Sequence, residues 1–297
     1  MTKILNFGSL NIDLVYQVDH IVQPGETISA AGLQTFAGGK GLNQSVALAR
    51  GGGEVYHAGG IGADDGAILN NMLTESGVKT DYLQLRAGKS GHALIQVDRD
   101  GQNCIIIHAG TNHGNTETYI NDVLENFGEG DWLVLQNEIN LNRTIVDQAK
   151  ARGLKIAYNP SPIDDAALDL DLNAIDLFFV NEIEGCALSG EPAVENQIKV
   201  LREKYPDAGF VITLGSHGSL YFDRDNEIHQ DIFKVKAVDT TAAGDTFTGF
   251  FLTSVVRGED YATALKIASK ASSIAVSRPG AAPSIPTLNE VLAALKE

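Results

Sequence analysis

The sequence predicts an α/β fold in which a mostly parallel sheet lies between two layers of helices. Two observations carry that reading. Short apolar runs of four or five residues recur along the chain, as strands buried on both faces require, and amphipathic stretches at helical period fall between them. The first run, residues 4–7, is too short for a signal peptide and reads as a buried strand. Further strands are expected at 132–136, 154–158, 177–180 and 210–214. Helices are expected at 41–50, 142–151, 195–204, 244–257 and 261–277. Strand then helix, repeated, gives a three-layer α/β/α, Rossmann-like domain that binds ligands beyond the carboxyl ends of its strands.

Two segments break the alternation. Residues 13–36 and 91–108 are strand-like and rich in turns, with a helical region between them. Ala93-Leu94-Ile95-Gln96-Val97, the turn Asp98-Arg99-Asp100-Gly101 and Cys104-Ile105-Ile106-Ile107 form a hairpin pattern. It reads either as an extra edge of the main sheet or as a small β lid. The 297 residues suit one large domain with such an appendage. The expected division is an α/β domain of 1–12, 37–90 and 109–297 with a lid of 13–36 and 91–108.

A net charge of −16 makes nucleic acid and anionic membrane surfaces poor partners. An anionic substrate would need a local site of backbone N–H groups and cations. No apolar run approaches the roughly 20 residues that span a bilayer. Cys104 and Cys186 lie too far apart to suggest a disulfide framework or metal site, which points to the reduced cytoplasm. The seven histidines form no zinc spacing; His108 and His113 are too far apart for neighbouring helical turns.

The most informative stretch is Val238-Asp239-Thr240-Thr241-Ala242-Ala243-Gly244-Asp245-Thr246-Phe247. A strand is expected to end near Val238 and a helix to begin after the small residues. Phe247, Phe250, Phe251 and Val255 fall on one face of that helix. Ala242, Ala243 and Gly244 would let a phosphate approach N–H groups at the helix N-terminus. Asp245, in the first turn, could take a proton from an attacking hydroxyl. Gly-Asp before a helix is by itself capping chemistry; the ten-residue string favours the functional reading.

Gly38-Gly39-Lys40-Gly41-Leu42-Asn43-Gln44 precedes another helix. It is not a Walker P-loop, and Gly88-Lys89-Ser90 lacks the upstream glycine. Gly60-Ile61-Gly62-Ala63-Asp64-Asp65 fails the dinucleotide fingerprint at its last position. The glycines allow a neutral ligand to meet the main chain, with Asn43 offering an amide. Asn11 and Asp13 carry short side chains suited to hydroxyl groups, although Asn-x-Asp is also turn chemistry.

Together these motifs resemble those of the ribokinase-like (PfkB) sugar kinases, in the family's order from Gly8 to Ser284. The resemblance implies that Asp245 is the catalytic base and Ala242, Ala243 and Gly244 the anion hole. It implies sugar contacts from Asn11, Asp13, Gly39, Lys40, Gly41, Asn43 and Glu138, with Ala93 and Ile107 as apolar contacts on the lid. Asn181 and Glu184 match the Asn-x-x-Glu motif, which implies phosphate contact and Mg²⁺ held through water; alone they read as a helix start. Thr213, Gly215, Ser216, His217 and Gly218 resemble the nucleotide loop, and alone read as a hairpin turn; His217 itself is incidental. Ser269 stands where many members carry Asn or His near the adenine. Asp239, Thr241, Ala275, Arg278, Gly280 and Ser284 match a K⁺ site, several through main-chain oxygen, and otherwise read as a helix C-terminus closed by Pro-Gly.

The implied activity is ATP-dependent phosphorylation of a sugar hydroxymethyl, D-ribose to D-ribose 5-phosphate, in a homodimer joined through the lids. Fructose and nucleosides are the alternative acceptors. A sugar-binding regulator without turnover and an NAD-binding protein are the readings from other classes.

Overall fold

The computed structural model describes residues 2–296. Strands β1 (Lys3–Phe7), β2 (Asn11–Gln17) and β3 (Gly32–Gly38) precede helix α1 (Lys40–Arg50). Next come β4 (Glu54–Gly62), α2 (Ala67–Glu75), β5 (Lys79–Arg86), β6 (Gly91–Val97) and β7 (Asn103–His108). They are followed by α3 (Glu117–Leu124), β8 (Trp132–Gln136), α4 (Asn142–Ala151), β9 (Lys155–Asn159), α5 (Asp165–Leu168) and β10 (Leu177–Asn181). The remaining elements are α6 (Glu182–Ser189), α7 (Val194–Lys204), β11 (Gly209–Thr213), β12 (Ser219–Phe222), β13 (Glu227–Gln230), α8 (Ala243–Val256), α9 (Tyr261–Val276) and α10 (Leu288–Ala294).

Nine strands form the main sheet in the order β13-β12-β11-β10-β9-β8-β1-β4-β5. From β11 to β5 every pairing is parallel; β12 and β13 add an antiparallel edge. Alternate side chains feed two cores, because a strand sends successive residues to opposite faces. Leu5, Phe7, Leu133, Leu135 and Phe178 pack with α3, α4 and α7 on one face. Ile4, Val134, Phe179 and Val211 pack with α1, α2, α8 and α9 on the other. A stack of Phe178, Phe210 and Phe222, with ring centroids 4.6 and 5.0 Å apart, runs across three adjacent strands of the first core. Each fully buried ring is worth about 1.5–3 kcal/mol.

A separate four-stranded sheet has the order β3-β2-β6-β7. β2 pairs antiparallel with β3 and parallel with β6, and β6–β7 is the expected hairpin. Its first two strands reach Asn11 and Gly38, slightly outside the 13–36 segment. Asp13 lies level with Ala93, and Ala93 with Ile107, so the three form one row across the sheet.

Three local expectations change. No strand ends near Val238: after β13 the chain to Thr241 has no regular structure, and its main chain is tied instead by Val238 and Asp239 N–H donating to the Val276 carbonyl. The lysines at 234 and 236 alternate with apolar residues there, but the segment follows the sheet's edge strand rather than pairing with it. Helix α8 is not amphipathic: Thr246 to Ser254 are all buried, because α1 and α9 cover it from two sides. The helical region expected between the two lid segments also holds β4 and β5. Glycines Gly59, Gly60 and Gly62 hid β4, and the polar alternation of an edge strand hid β5. Thr213–Gly218 does form the plain hairpin turn between β11 and β12.

Candidate functional site

Adjacent parallel strands end along one edge of the main sheet, each in or just before a polar residue. β1 is followed by Ser9, β8 ends in Gln136 with Glu138 beyond, β9 ends in Asn159, β10 in Asn181 and β11 in Thr213. This row at the carboxyl ends is where a doubly wound sheet presents ligand groups. Two contiguous hollows open over it. One of about 210 Å³ is lined by Lys40, Asn181, Glu184, Ala242, Gly244 and Asp245. The other, about 710 Å³ and mostly apolar, is lined by Gly215, Ser216, Gly218, Phe233, Phe247 and Ser269. Thr213, Thr240, Ala243 and Gly244 line both.

Two helix N-termini meet at the first hollow. Helix α1 enters through Gly39, whose φ of 91° favours glycine. Gly41 then lies so close to the end of β1 that the Leu42 N–H donates to the Ser9 carbonyl at 2.9 Å. Helix α8 starts at Ala242, a non-glycine residue at φ 60°, a conformation that costs about 1–2 kcal/mol. The Ala243 N–H donates to the Thr240 carbonyl at 3.2 Å, so the open donors of this turn lie further into it. A Cβ placed on Gly244 would meet nothing within 4 Å, so the space over this turn is free. The two helices cross closely because Gly249 packs on Ala47.

That crossing places Asp245 against α1. Asn43 Nδ2 donates to Asp245 Oδ2 and Gln44 Nε2 to Asp245 Oδ1, both at 3.0 Å. Burial pushes the Asp245 carboxyl above its ordinary value, while Lys40 and the two amides pull the other way. Burial also acts against the Lys40 ammonium, but the carboxylates of Asp245, Glu138 and Glu184 outweigh it and hold its pKa above the usual value.

A second cluster links β1, α1 and the turn after β8. Ser9 Oγ donates to Glu138 Oε2 at 2.5 Å, the Lys40 N–H donates to the same oxygen at 3.2 Å, and Lys40 Nζ lies 3.7 Å from Glu138 Oε1. Asn112 Nδ2 donates to Asn11 Oδ1 at 2.8 Å, which leaves the Asn11 NH₂ as the group to offer a ligand. Asp13 lies across Gly38, where a Cβ would be 2.0 Å from Asp13 Oδ2. Burial and the neighbouring Glu138 raise the Asp13 pKa to about 7 against the pull of Lys40.

Asn181 caps α6. Its Oδ1 accepts from Ile183 and Glu184 N–H, and Glu184 Oε2 accepts from the Asn181 N–H at 2.9 Å. The helix-start reading of this motif therefore holds, and both residues also line the first hollow. The Asp239 carboxylate accepts from Thr241 N at 2.9 Å and Gly280 N at 3.0 Å, joining the loop before α8 to the one after α9. Burial opposes those bonds, yet they hold the Asp239 carboxyl below its ordinary value. Ser269 is buried and only weakly tied to the Asp231 carbonyl at 3.4 Å.

Ser9, Gln44, Asn112, Gln136 and Asn159 were not anticipated as site residues. The last two close apolar strands with a polar group, a signal available in the sequence. Gln44 carried a weaker one: it lies one helical turn beyond Lys40, on the same side of α1.

A carboxylate facing an anion-receptive helix start, beside a polar cluster and a large apolar hollow, defines a group-transfer site for an alcohol and a phosphate-bearing donor. Comparison with known proteins agrees. Residues 1–288 match the pfkB family of carbohydrate kinases. The ribokinase of Bacillus subtilis is 36% identical over 300 residues, covering 98% of either chain. That of Haemophilus influenzae is 33% identical over 293 residues, 96% of this chain and 95% of the relative. Among solved structures, ribokinase from Thermotoga maritima superimposes with a TM-score of 0.89 at 35% identity, over the whole of both chains. Arabidopsis thaliana ribokinase complexed with ribose and ATP gives 0.88 at 31% identity, also over both whole chains. The chain belongs to the pfkB carbohydrate kinase family. It is a sugar kinase, and the NAD-binding and non-catalytic readings fall away.

Proposed function

We propose that this kinase transfers the γ-phosphoryl group of ATP to the terminal hydroxymethyl of D-ribose. The observation that carries the proposal is the contact between Asp245 at the start of α8 and the amides of Asn43 and Gln44 on α1. It sets a carboxylate between a polar sugar cleft and a phosphate-receptive helix start. Asn11, Asp13, Lys40, Asn43 and Glu138 bind the sugar, with Gly39 and Gly41 giving it access to the main chain. Ala93 and Ile107 close over its apolar side. Asp245 takes the hydroxyl proton, and N–H groups of the Ala242–Gly244 turn carry charge on the phosphoryl oxygens. Thr213, Gly215, Ser216, Gly218 and Ser269 line the larger hollow for the nucleoside, and Asn181 faces its phosphates. His217 stays incidental.

Residues 13–36 and 91–108 act as a lid that excludes water when it closes. The apolar Leu33 and Ile106, on the face of that sheet opposite the Asp13–Ala93–Ile107 row, are 54% and 61% exposed, and they form the contact of a homodimer. Among the described residues no helix is long and apolar enough to cross a membrane. The two free cysteines fit a cytoplasmic enzyme.

The donor sets fit two cations. Glu184 keeps Oε1 outside its capping bond, a hard oxygen suited to a water-bound Mg²⁺ that neutralises phosphate charge. For K⁺, the groups the family's motif suggests are oxygens of Asp239, Thr241, Ala275, Arg278, Gly280 and Ser284, on two loops that the Asp239–Gly280 bond joins. The Arg278 guanidinium donates to Glu290 Oε1 at 2.7 Å, so its charge is engaged there. Among the described residues no group of three or more His, Cys, Asp or Glu side chains is placed to hold a metal ion by itself. The test is ADP release across ribose, deoxyribose, fructose and nucleosides, with and without potassium. Ribose should give the highest kcat/KM and potassium should raise it; a nucleoside or fructose in first place overturns the assignment.

Asp13 makes the sugar step pH-dependent. Its ionised carboxylate accepts from sugar hydroxyls, and its pKa of about 7 leaves it half protonated at neutral pH. Because protonation removes the acceptor, the ribose KM should be about tenfold higher at pH 6 than at pH 8. Asp13→Asn should bind weakly with no step in that window. A KM that instead falls on acidification means that the protonated carboxyl donates to the sugar.

A further inference from the structure

We propose that Gln44 is a positioning residue for the Asp245 carboxylate, fixed by a one-way chain of hydrogen bonds through Gln136, Asn6 and Ser45 to the buried ring of His57. The proposal rests on Asp245 acting as the base.

The direction of the chain follows from counting donors and acceptors. Asn6 Nδ2 donates to Ser45 Oγ at 2.8 Å and to the Gly41 carbonyl at 2.7 Å. Ser45 Oγ is in turn 2.8 Å from His57 Nδ1. Burial lowers the His57 pKa to about 4 and keeps the ring neutral, so the chain ends on an uncharged group. With its NH₂ so committed, Asn6 offers Oδ1 to Gln136 Nε2 at 3.0 Å. The second Gln136 hydrogen goes to Gln44 Oε1 at 2.7 Å. Gln44 is then left with one orientation, its NH₂ toward Asp245 Oδ1 at 3.0 Å. Reversing any amide sets donor against donor or acceptor against acceptor.

The placement of these groups argues for a function. Asn6, Gln44, Ser45 and His57 are 0% exposed and Gln136 is 1% exposed. Asn6 interrupts the apolar strand Ile4-Leu5-Asn6-Phe7 in the middle of the sheet. Buried amides add little net stability over apolar groups of the same shape and are costly when unpaired. Gln136 Oε1 is such an unpaired atom. What the chain achieves is to hold one face of the Asp245 carboxylate. Asn43 bonds Oδ2 and Gln44 bonds Oδ1, so the plane is fixed and each oxygen keeps a lone pair for the cleft. The same donors favour the ionised form against burial. The other charges that reach Asp245 are Lys40 on α1 and Glu138 after β8, and neither belongs to the chain.

Gln44→Met removes the final donor at nearly constant length. Its kcat should fall about tenfold, the loss of one hydrogen bond to a charged group, with the ribose KM within about twofold. The acid limb of its kcat–pH profile should move up by about one unit. Gln136→Met, which touches neither Asp245 nor the sugar, should shift both readouts in the same direction by less, and it carries the test if Gln44→Met does not fold. A lowered melting temperature with wild-type kcat and acid limb in both variants would make the chain purely structural and overturn the proposal. Asp245→Asn separates the two claims. If it keeps turnover, the reading of Asp245 is wrong. If it is inactive while Gln44→Met behaves as wild type, only the positioning chain fails.

Discussion

Asp245→Asn should lower kcat by at least about 10²-fold while leaving the ribose KM within a few-fold of wild type. The two parameters separate if, as proposed, the side chain meets the substrate only on the path of one proton. On the proposed assignment, sugar hydroxyls other than the attacked one are held elsewhere, by Asn11, Asp13 and Glu138. The substitution is nearly isosteric, and the melting temperature should stay close to wild type for a stated reason. The variant loses one of the two amide donors now directed at the carboxylate. It also escapes the burial that pushes the carboxyl's pKa up, and the two effects oppose each other. Single-turnover kinetics on the variant, with thermal unfolding alongside, checks both halves. Near-wild-type turnover would remove Asp245 from the chemistry, and a large rise in KM would move it to sugar binding.

What the sequence revealed and what it concealed follow from range. The strands at 132–136 and 177–181 are short apolar runs, and buried parallel strands have to be, so each was visible locally. The turn before α8 was visible because small residues ahead of an Asp carry their own chemistry. The polar network was not. Asn43 and Asp245 are 202 residues apart, and Gln136 reaches Asn6 across 130. No local pattern distinguishes an amide that completes such a chain from one that faces water. The misread helix has the same cause. Phe247, Phe250 and Phe251 marked an apolar face on α8, but Thr248 and Gly249 between them and Thr246, Thr253 and Ser254 beside them are buried too, since α1 closes on that side through Gly249. Small residues read as polar or neutral in a period count, although a close helix crossing is where they are needed. Asn181 shows the converse. Its motif was legible as both a cap and a ligand, and the structure realises the cap while leaving the side chain at the rim of the cleft.

Gly41→Ala should be the most damaging single methyl in the protein's binding half. A Cβ there would lie 2.3 Å from Ser9 N, 2.5 Å from Gly8 C and 2.6 Å from Ser9 O, all of them main-chain atoms that no side-chain rotation can move. A Cβ on Gly8 would meet the same contact from the other side, 2.7 Å from the Gly41 Cα. Relief requires β1 and α1 to separate, which breaks the Ser9–Glu138–Lys40 cluster and draws Asn43 and Gln44 away from Asp245. Overpacking of this kind costs about 3 kcal/mol, enough to lower the melting temperature by roughly 5 °C in a chain of this size. The ribose KM should rise at least about tenfold with it, because the sugar groups and the helix move together. Gly244→Ala gives the contrast. Its added methyl meets nothing within 4 Å, so stability should hold while kcat falls, as the methyl occupies the space kept for the phosphoryl group. One glycine keeps two elements in contact and the other keeps a cavity open, so paired unfolding and kinetic measurements should distinguish them. Equal melting temperatures for Gly41→Ala and wild type would mean that the β1–α1 approach is not what assembles the sugar site.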